Sequence, residues 1–254
     1  FNATNITSGN IALTNTAGPL TVTGISQAGG GNVTVINTGA LTTSTAAITT
    51  AANGNINLSS SGTMTVGAAV TAGGSGVVTL AATGAASDIL INANTSSTSG
   101  AVNATAGKNI TLTNADIGTS GAVNLTATGT ISESGTAKIT GSSALTTNSV
   151  GGQTLNGANT VASFNATNIT SGDIALTNTA APLTVTGISQ AGGGNVTVIN
   201  TGALTTSTAA ITTAANGNIN LSSSGTMTVG AAVTAGGSGV VTLAATGAAS
   251  DILI

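Results

Sequence analysis

The sequence predicts an all-β fold: a parallel β-helix, or β-solenoid, of about eleven coils with about 23 residues in each coil. Three observations lead to this prediction: a long segment that is repeated almost letter for letter, a shorter rhythm set by glycines, and an alternation of aliphatic and polar residues within each short period. A chain built by repetition suits a rod or a fibre better than a globular domain with one unique pocket.

The long repeat involves both ends of the sequence. Residues 1–91 return as residues 164–254, and the two copies differ only where Asn10 becomes Asp173 and Gly18 becomes Ala181. We therefore divide the chain into one complete seven-coil repeat unit, residues 1–163, and the first four coils of the next unit, residues 164–254, with no separate globular domain.

A shorter period is marked by a glycine that stands two residues before an alternating strand. Successive markers are 22, 23, 22, 24, 21 and 51 residues apart, and the last interval holds two less regular coils. The mean is about 23 residues per coil. The marker glycines are Gly9, Gly31, Gly54, Gly76, Gly100, Gly121 and Gly172.

Within each coil, aliphatic residues alternate with Thr, Asn and Ser, which is the pattern of a strand with one face in a core. Strands this short bury their apolar side only when coils stack on one another and close a continuous core. The aliphatic positions predicted to point inward in the first three coils are Ile11, Leu13, Leu20, Val22, Val33, Val35, Leu41, Ile56, Leu58, Met64 and Val66.

The segments between the strands have the composition of turns. Pro19 and Pro182 each stand just before a strand, where a missing backbone donor does little harm. Glycine pairs and Asn-Gly pairs are predicted to supply positive φ at tight corners. These turn segments are 29–31, 53–54, 73–74 and 156–157.

The predicted core is narrow. A triangular coil of about 23 residues encloses a lumen only a few side chains wide, which Val, Ile, Leu and Ala fit and which aromatic residues would overfill. Val78 is predicted to point into this lumen and Thr79 to point out of it. Disorder is the rival interpretation, and the hydrophobic content of 40% with a net charge of only −3 argues against it.

Composition excludes several classes of function. Lys108 and Lys138 are the only cations, so binding to nucleic acid or insertion into an anionic membrane surface has no source of affinity. The apolar runs are too short for a membrane-spanning helix. Without His or Cys, the usual nucleophile–base pairs and zinc sites cannot form. We predict that the protein is not an enzyme and has no catalytic residues, no metal site and no cofactor.

The acidic residues are few and scattered, which argues against the paired carboxylates of a glycosidase. Asp88 and Glu133 each lie twelve residues after a marker glycine, two coils apart, so we expect about 10 Å between them. Asp116 and Lys138 are predicted to meet on neighbouring coils as an exposed ion pair that marks the register. The acids are Asp88, Asp116, Glu133, Asp173 and Asp251.

A ladder of asparagines is predicted along one corner of the stack. Asn10, Asn32 and Asn55 follow three successive marker glycines, so their amides should stack on one another. Asp173 is expected to interrupt this ladder in the second copy.

A ladder of threonines is less regular. Thr21 and Thr23 should align with Thr43 and Thr45 one coil later, and the series then slips at Thr63. An unbroken flat grid of threonines would favour ice binding, whereas a broken one is read as ordinary outward-facing β-propensity.

Segments 31–43 (GNVTVINTGALTT) and 54–66 (GNINLSSSGTMTV) resemble the repeat region of the filamentous haemagglutinin family, large bacterial exoproteins exported by the two-partner route. The resemblance covers essentially the whole chain. It implies a right-handed parallel β-helix that forms a rod on the cell surface, with roles in adhesion and biofilm.

From these observations we expect an extracellular protein of the bacterial cell surface that serves as the structural shaft of a fibre or adhesin, or as a scaffold of a biofilm matrix. The alternative from another class is a solenoid that binds polysaccharide or ice, and the third class is an enzyme. The expected partners are further repeats of the same chain, identical copies placed end to end in a filament, and the surface of a host or a neighbouring cell.

Overall fold

The computed structural model describes residues 1–179 and 182–254 of the chain. The described residues form no helix, and their strands pair in parallel. The chain winds into a β-solenoid of about 11 turns with about 22 residues per turn. This confirms the predicted all-β parallel solenoid, with turns slightly shorter than the predicted 23 residues.

Most turns contribute one short strand to each of three faces, and the strands of a face bond to their neighbours above and below in the stack. The first face contains β1 (Asn2–Asn5), β4 (Gly24–Gln27), β7 (Ile48–Thr50), β10 (Val70–Ala72), β13 (Thr95–Ser97), β16 (Asp116–Gly118) and β19 (Lys138–Thr140). The second face contains β2 (Ile11–Asn15), β5 (Val33–Asn37), β8 (Ile56–Ser60), β11 (Val78–Ala82), β14 (Val102–Ala106), β17 (Ala122–Ala127), β20 (Ala144–Ser149) and β22 (Ser163–Asn168). The third face contains β3 (Leu20–Val22), β6 (Leu41–Thr43), β9 (Met64–Val66), β12 (Ile89–Ile91), β15 (Ile110–Thr113), β18 (Ile131–Ser134), β21 (Gln153–Asn159), β23 (Ile174–Asn178), β25 (Val196–Asn200), β28 (Ile219–Ser223) and β31 (Val241–Ala245).

One long strand, β24 (Leu183–Gln190), runs across a corner and serves two faces. Its first half pairs with β26 (Leu204–Thr206), on which β29 (Met227–Val229) and β32 (Ile252–Leu253) stack in turn. Both halves pair with β22 below, and the second half pairs with β27 (Ile211–Thr213) above, on which β30 (Val233–Thr234) stacks. The second half of β24 therefore continues the second face.

The second copy of the repeated sequence does not return to the faces that the first copy occupies. Strand β1 lies on the first face, whereas its equivalent β22 lies on the second; β2 lies on the second face, whereas its equivalent β23 lies on the third. At about 22 residues per turn, 163 residues make about seven and a third turns rather than the seven whole coils predicted. The two copies are therefore rotated relative to each other by one face.

The alternation of aliphatic and polar residues decides which side chains enter the core. Val78 is fully buried and Thr79 points outward, as predicted. Val78 stacks between Ile56 and Val102, which are also fully buried. Such files of aliphatic side chains run through successive turns, so every added turn removes apolar surface from water.

One aromatic side chain occupies the core, contrary to the prediction that aromatic residues overfill it. Phe164 is fully buried, although its equivalent Phe1 is 37% exposed. Phe164 stacks between Leu145 and Val185, and the next inward residue of its strand is Ala166. Because Ala166 is small, the same turn has volume for the ring.

The strands of the first face were largely missed by the sequence analysis. Strands β7 and β10 contain three residues each, of which two point inward. Three residues carry too little alternation to stand out in a sequence rich in Thr and Ala.

The marker glycines stack on one another at one corner with no room for a side chain. A Cβ on Gly54 would lie 2.3 Å from the carbonyl oxygen of Gly31, and a Cβ on Gly76 would lie 2.2 Å from that of Gly54. A contact that short overlaps the two atoms, so glycine is required by the close approach of successive turns.

Positive φ explains fewer of the corner glycines than predicted. Gly30 and Gly74 have positive φ, as the turn chemistry predicts. Gly54 and Gly157, for which the Asn-Gly pairs predicted the same conformation, do not. The reason for glycine at those two positions is space rather than backbone conformation.

Substitutions at two adjacent positions of β11 should distinguish the inward-facing side of the strand from its outward-facing side. We expect Val78→Asp to lower the free energy of unfolding by about 3 kcal/mol or more, because it buries an unpaired charge among aliphatic side chains. Thr79→Asp should change it by less than about 1 kcal/mol. Urea unfolding followed by circular dichroism measures both, and Val241→Asp, at the equivalent position where Val241 is 38% exposed, is a matched control of intermediate effect. Equal losses at 78 and 79 would show that the facing is wrongly assigned.

A disulfide tests the rotation of the second copy. Thr154 pairs with Ala175 on the third face, at a strand spacing of about 4.8 Å that suits a disulfide. The double variant Thr154→Cys and Ala175→Cys should therefore oxidise readily, as the loss of free thiols shows. Thr146 lies on the second face and pairs with Asn165, so the combination of Thr146→Cys with Ala175→Cys should stay reduced. The reverse result would mean that the two copies occupy the same faces.

Candidate functional site

Side-chain oxygens of asparagine tie successive turns together at one corner. Asn10 Oδ1 accepts a hydrogen bond from the Asn32 backbone N–H at 2.8 Å, Asn32 Oδ1 accepts one from Asn55 at 2.9 Å, and Asn55 Oδ1 accepts one from Val77 at 2.7 Å. The predicted asparagine ladder is confirmed as a stack, but its bonds join side chain to backbone rather than amide to amide. It satisfies backbone donors at the corners, which is a structural role.

Two of the acids belong to ladders of the same kind. Asp173 Oδ1 accepts a hydrogen bond from the Asn195 backbone N–H at 2.7 Å, and Asn195 Oδ1 accepts one from Asn218 at 3.0 Å. Asp173 therefore continues the ladder that it was expected to interrupt, because a carboxylate oxygen accepts as an amide oxygen does. Asp88 Oδ1 accepts in the same way from the Asn109 backbone N–H at 3.1 Å.

The predicted threonine alignment is wrong by one residue. Thr21 pairs with Thr42, which pairs with Thr65. Thr43 points into the core instead, where it is fully buried and its Oγ1 donates to the carbonyl oxygen of Ala68 at 2.9 Å. The error arises because the paired strands β3 and β6 are 21 residues apart rather than 22.

A longer row of hydroxyl groups, not predicted from the sequence, runs up the first face. The row is one residue wide, because only the middle residue of the three-residue strands β7, β10 and β13 points outward. It ends where Gly118 follows in register. The row contains Thr4, Ser26, Thr49, Thr71 and Ser96.

A shallow open groove lies beside this row and recurs in the second copy. Gly24 has a φ of +149°, and a Cβ there would lie 2.9 Å from the Cβ of Ala46. Gly187 repeats the conformation with a φ of +148° beside Ala209. The volumes are about 210 Å³ in the first copy and 250 Å³ in the second. Small uncharged residues form most of its lining, and no ionisable group lines either copy.

The predicted ion pair is confirmed. Asp116 and Lys138 are direct partners on adjacent strands of the first face, and Lys138 Nζ lies 3.8 Å from Asp116 Oδ2. Both side chains are partly exposed, so the pair contributes no more than about 1 kcal/mol and marks the register rather than a site.

Asp88 and Glu133 are not in one column, contrary to the expected stacking. Glu133 pairs with Leu112, which pairs with Ile91, whereas Asp88 precedes the strand that contains Ile91 by one residue. The connection before that strand is three residues longer in the turn of Asp88 than in the turn of Glu133. The two acids therefore lie the same number of residues after their marker glycines but are out of register with each other. Asp251, the fifth acid, is exposed in the last turn.

Glu133 occupies an inward position that aliphatic residues fill in the turns below it. Its Oε2 accepts hydrogen bonds from the backbone N–H of Gly157 at 2.9 Å and from Nδ2 of Asn159 at 3.1 Å. Its Oε1 is buried and has no hydrogen-bond partner among the described residues. The sequence signal was the alternation Ile131-Ser132-Glu133, which places the acid on the same side of the strand as an isoleucine.

The environment of Glu133 changes its acidity. Burial raises the pKa of the Glu133 carboxyl from 4.5 to about 7. The hydrogen bonds from Gly157 and Asn159 lower it in part, and the negative charge of Asp116 raises it. Glu133 is thus a carboxyl group that exchanges its proton near neutral pH.

The chemical capacity of this arrangement is limited. Hydrolysis by paired carboxylates needs two acids across a substrate, and Asp116, the other acid that acts on Glu133, is paired with Lys138. The described ranges contain no group of three or more His, Cys, Asp or Glu that could hold a metal ion. The Oε2 atom of Glu133 is itself occupied by hydrogen bonds from the Gly157 N–H and from Asn159 Nδ2.

Stability should depend on pH through Glu133. Its folded-state pKa of about 7 is above the ordinary value of 4.5, so its favourable contribution is complete below about pH 4.5 and is lost as the pH rises through 7. The loss is at most about 3 kcal/mol. Glu133→Gln keeps an oxygen for Gly157 and should flatten the pH dependence between 4.5 and 7, measured by urea unfolding at a series of pH values. An Asp88→Asn variant is the control, and a slope unchanged in Glu133→Gln would contradict the assignment.

Comparison with known proteins gives no further identification. In the described part of the chain there is no helix long and apolar enough to cross a membrane. No protein-family profile matches the sequence, and neither the curated proteins nor the solved structures contain a significant match.

Proposed function

We propose that the protein is the structural shaft of an extracellular bacterial fibre or adhesin, which provides reach and surface and performs no catalysis. The observation that carries the proposal is the continuity of the stack across the boundary between the two copies. Strand β22, at the start of the second copy, pairs with β20 below it and with β24 above it. Each added copy thus lengthens one rod instead of adding a second domain.

The surface chemistry supports a shaft. Only 3% of the residues are charged, and the unusual carboxyl group of Glu133 is turned inward toward Gly157 and Asn159. Outward positions on the strands are mostly small polar residues, which hydrate a long surface without attracting nucleic acid or membrane. The partners that we propose are further coils of the same kind in series, in the same chain or in an identical copy, and the surface of a host or neighbouring cell.

Localisation and shape test this proposal together. Antibodies against the purified chain should label intact cells of the producing organism, and electron microscopy should show a rod that gains about 5 Å per turn, or about 50 Å for this chain. Labelling that requires permeabilised cells would contradict the extracellular assignment. Compact particles that are as wide as they are long would contradict the proposal that the protein is a shaft.

A polysaccharide-binding role is the second candidate, and the hydroxyl row of the first face favours it over ice. Ser96 Oγ already donates to Thr71 Oγ1 at 3.2 Å, so the row offers donors and acceptors at regular spacing along the axis. A linear sugar chain can follow one row, whereas an ice plane requires a two-dimensional grid.

Cosedimentation with insoluble polysaccharides tests this second candidate, with ice affinity measured in parallel. The triple variant Ser26→Ala, Thr49→Ala and Thr71→Ala should lose polysaccharide binding, and the equivalent change on the third face, Thr21→Ala with Thr42→Ala and Thr65→Ala, is the control. Equal binding by both variants would remove the first face from consideration. Binding to ice that the first-face variant abolishes would favour the ice alternative.

A further inference from the structure

The chain contains three Asn-Gly pairs, at residues 53–54, 156–157 and 216–217. In an Asn-Gly pair the glycine nitrogen can attack the asparagine side-chain carbonyl with little steric hindrance, because glycine has no Cβ. The attack releases ammonia and forms a succinimide, which water opens to aspartate or isoaspartate. Local sequence makes the three pairs alike, so any difference among them comes from the fold.

Two of the pairs are restrained by the corner ladders. Asn53 Oδ1 accepts hydrogen bonds from the backbone N–H and Oγ of Ser75 at 3.0 and 3.1 Å, and the N–H of Gly54 donates to the carbonyl oxygen of Ala51 at 3.1 Å. Both reacting groups are therefore held by other partners, and the ladder opposes the rotation that ring closure needs.

The pair 216–217 repeats these restraints in the second copy. Asn216 Oδ1 accepts from the N–H and Oγ of Ser238, both at 3.0 Å. The N–H of Gly217 donates to the carbonyl oxygen of Ala214 at 3.2 Å.

The third pair lies in an irregularity of the stack. On β21, three residues separate Leu155 from Asn159, whereas one residue separates their partners Leu176 and Asn178 on β23. Residues 156–158 therefore bulge out of the ladder. Asn156 is exposed, and its side-chain amide has no hydrogen bond among the described residues.

A carboxylate replaces the backbone acceptor at this bulge. The N–H of Gly157 donates to Glu133 Oε2 at 2.9 Å, and Nδ2 of Asn159 donates to the same oxygen and fixes its position. Glycine is also obligatory here, because a Cβ at position 157 would lie 2.1 Å from the carbonyl oxygen of Ala137. The fold thus combines an unrestrained asparagine amide, an unhindered nitrogen and a base on that nitrogen.

We infer that Asn156 is a site of self-catalysed deamidation, in which the carboxylate of Glu133 acts as the general base. Glu133 Oε2 takes the proton of the Gly157 N–H as the nitrogen attacks Asn156 Cγ. The bond between Cγ and the amide nitrogen Nδ2 then breaks as Nδ2 takes up that proton, so ammonia leaves and the Glu133 carboxylate is regenerated. Water hydrolyses the succinimide, and no oxidant, metal or cofactor takes part.

Two further features of the site support this chemistry. Asn156 and Gly157 line an open depression together with Lys138, so water reaches the succinimide. A base with a raised pKa accepts a proton more readily than an ordinary carboxylate does. Asp116, the charged group that acts on Glu133, pairs with Lys138.

The product places a new negative charge beside Glu133 and Asp116. Isoaspartate also adds a methylene to the backbone of the bulge, so the reaction marks and loosens one turn of the rod as the protein ages. The equivalent reaction at residues 53–54 and 216–217 is opposed by the corner ladders.

Peptide mapping after incubation near pH 8 tests the inference. Cleavage before the aspartates at 88, 116, 173 and 251 separates the three Asn-Gly pairs onto peptides 1–87, 116–172 and 173–250. The mass gain of amide-to-acid conversion then gives three rates from one folded sample. We expect Asn156 to react at least about tenfold faster than Asn53 and Asn216, and Glu133→Gln to remove that advantage.

The unfolded chain is the internal control. In urea the three pairs should react at similar rates, and Glu133→Gln should have no effect there, whether or not it alters folding. Folded Glu133→Gln is verified by its circular dichroism before rates are compared. The inference is overturned if folded Asn156 reacts no faster than Asn53 and Asn216, or if Glu133→Gln leaves its rate unchanged.

Discussion

The spacing between successive turns is the constraint on which the rest of the structure depends. Parallel strands must lie about 4.8 Å apart to form their hydrogen bonds, and the corners between them must close within the same height. At the marker corner this brings a backbone carbonyl to within 2.2 Å of where the Cβ of Gly76 would be. The requirement fixes glycine at the corners and small residues on the walls, so the unusual composition follows from the stacking geometry.

The same constraint decides where polar groups go. Backbone donors at the corners lie outside the strand ladders, and the oxygen of an Asn or Asp one turn below satisfies them. Inside the rod, Asn178 Nδ2 donates to Asn200 Oδ1 at 2.8 Å, and Asn168 Nδ2 donates to Gln190 Oε1 at 2.9 Å. Where the ladder fails, at the bulge around Gly157, Glu133 supplies the missing acceptor. Glu133 thus has its unusual acidity at the place where the repeat is least regular.

The sequence was sufficient to predict the fold, but it was insufficient to predict which side chains of successive turns lie in register. Alternation identified the inward and outward sides of β11 correctly, as Val78 and Thr79 show, because burial of every second residue is a property of each strand alone. The register of a residue with those above and below it depends on the lengths of the preceding turns, and these lengths vary. A difference of one residue in turn length places Thr43 in the core. A difference of three residues puts Asp88 out of register with Glu133. The contacts of Glu133 also depend on the bulge in β21, which no local pattern in the sequence predicts.

The one-face rotation between the copies limits how this rod can use its repetition. Identical surfaces on one chain usually add avidity, because a partner held by one copy is already close to the next. Here the groove at Gly24 opens on the first face, and its counterpart at Gly187 opens on the second. A flat partner that lies along the rod therefore contacts only one of the two grooves. Simultaneous engagement requires a flexible partner that winds around the axis, or separate partners that approach from different sides.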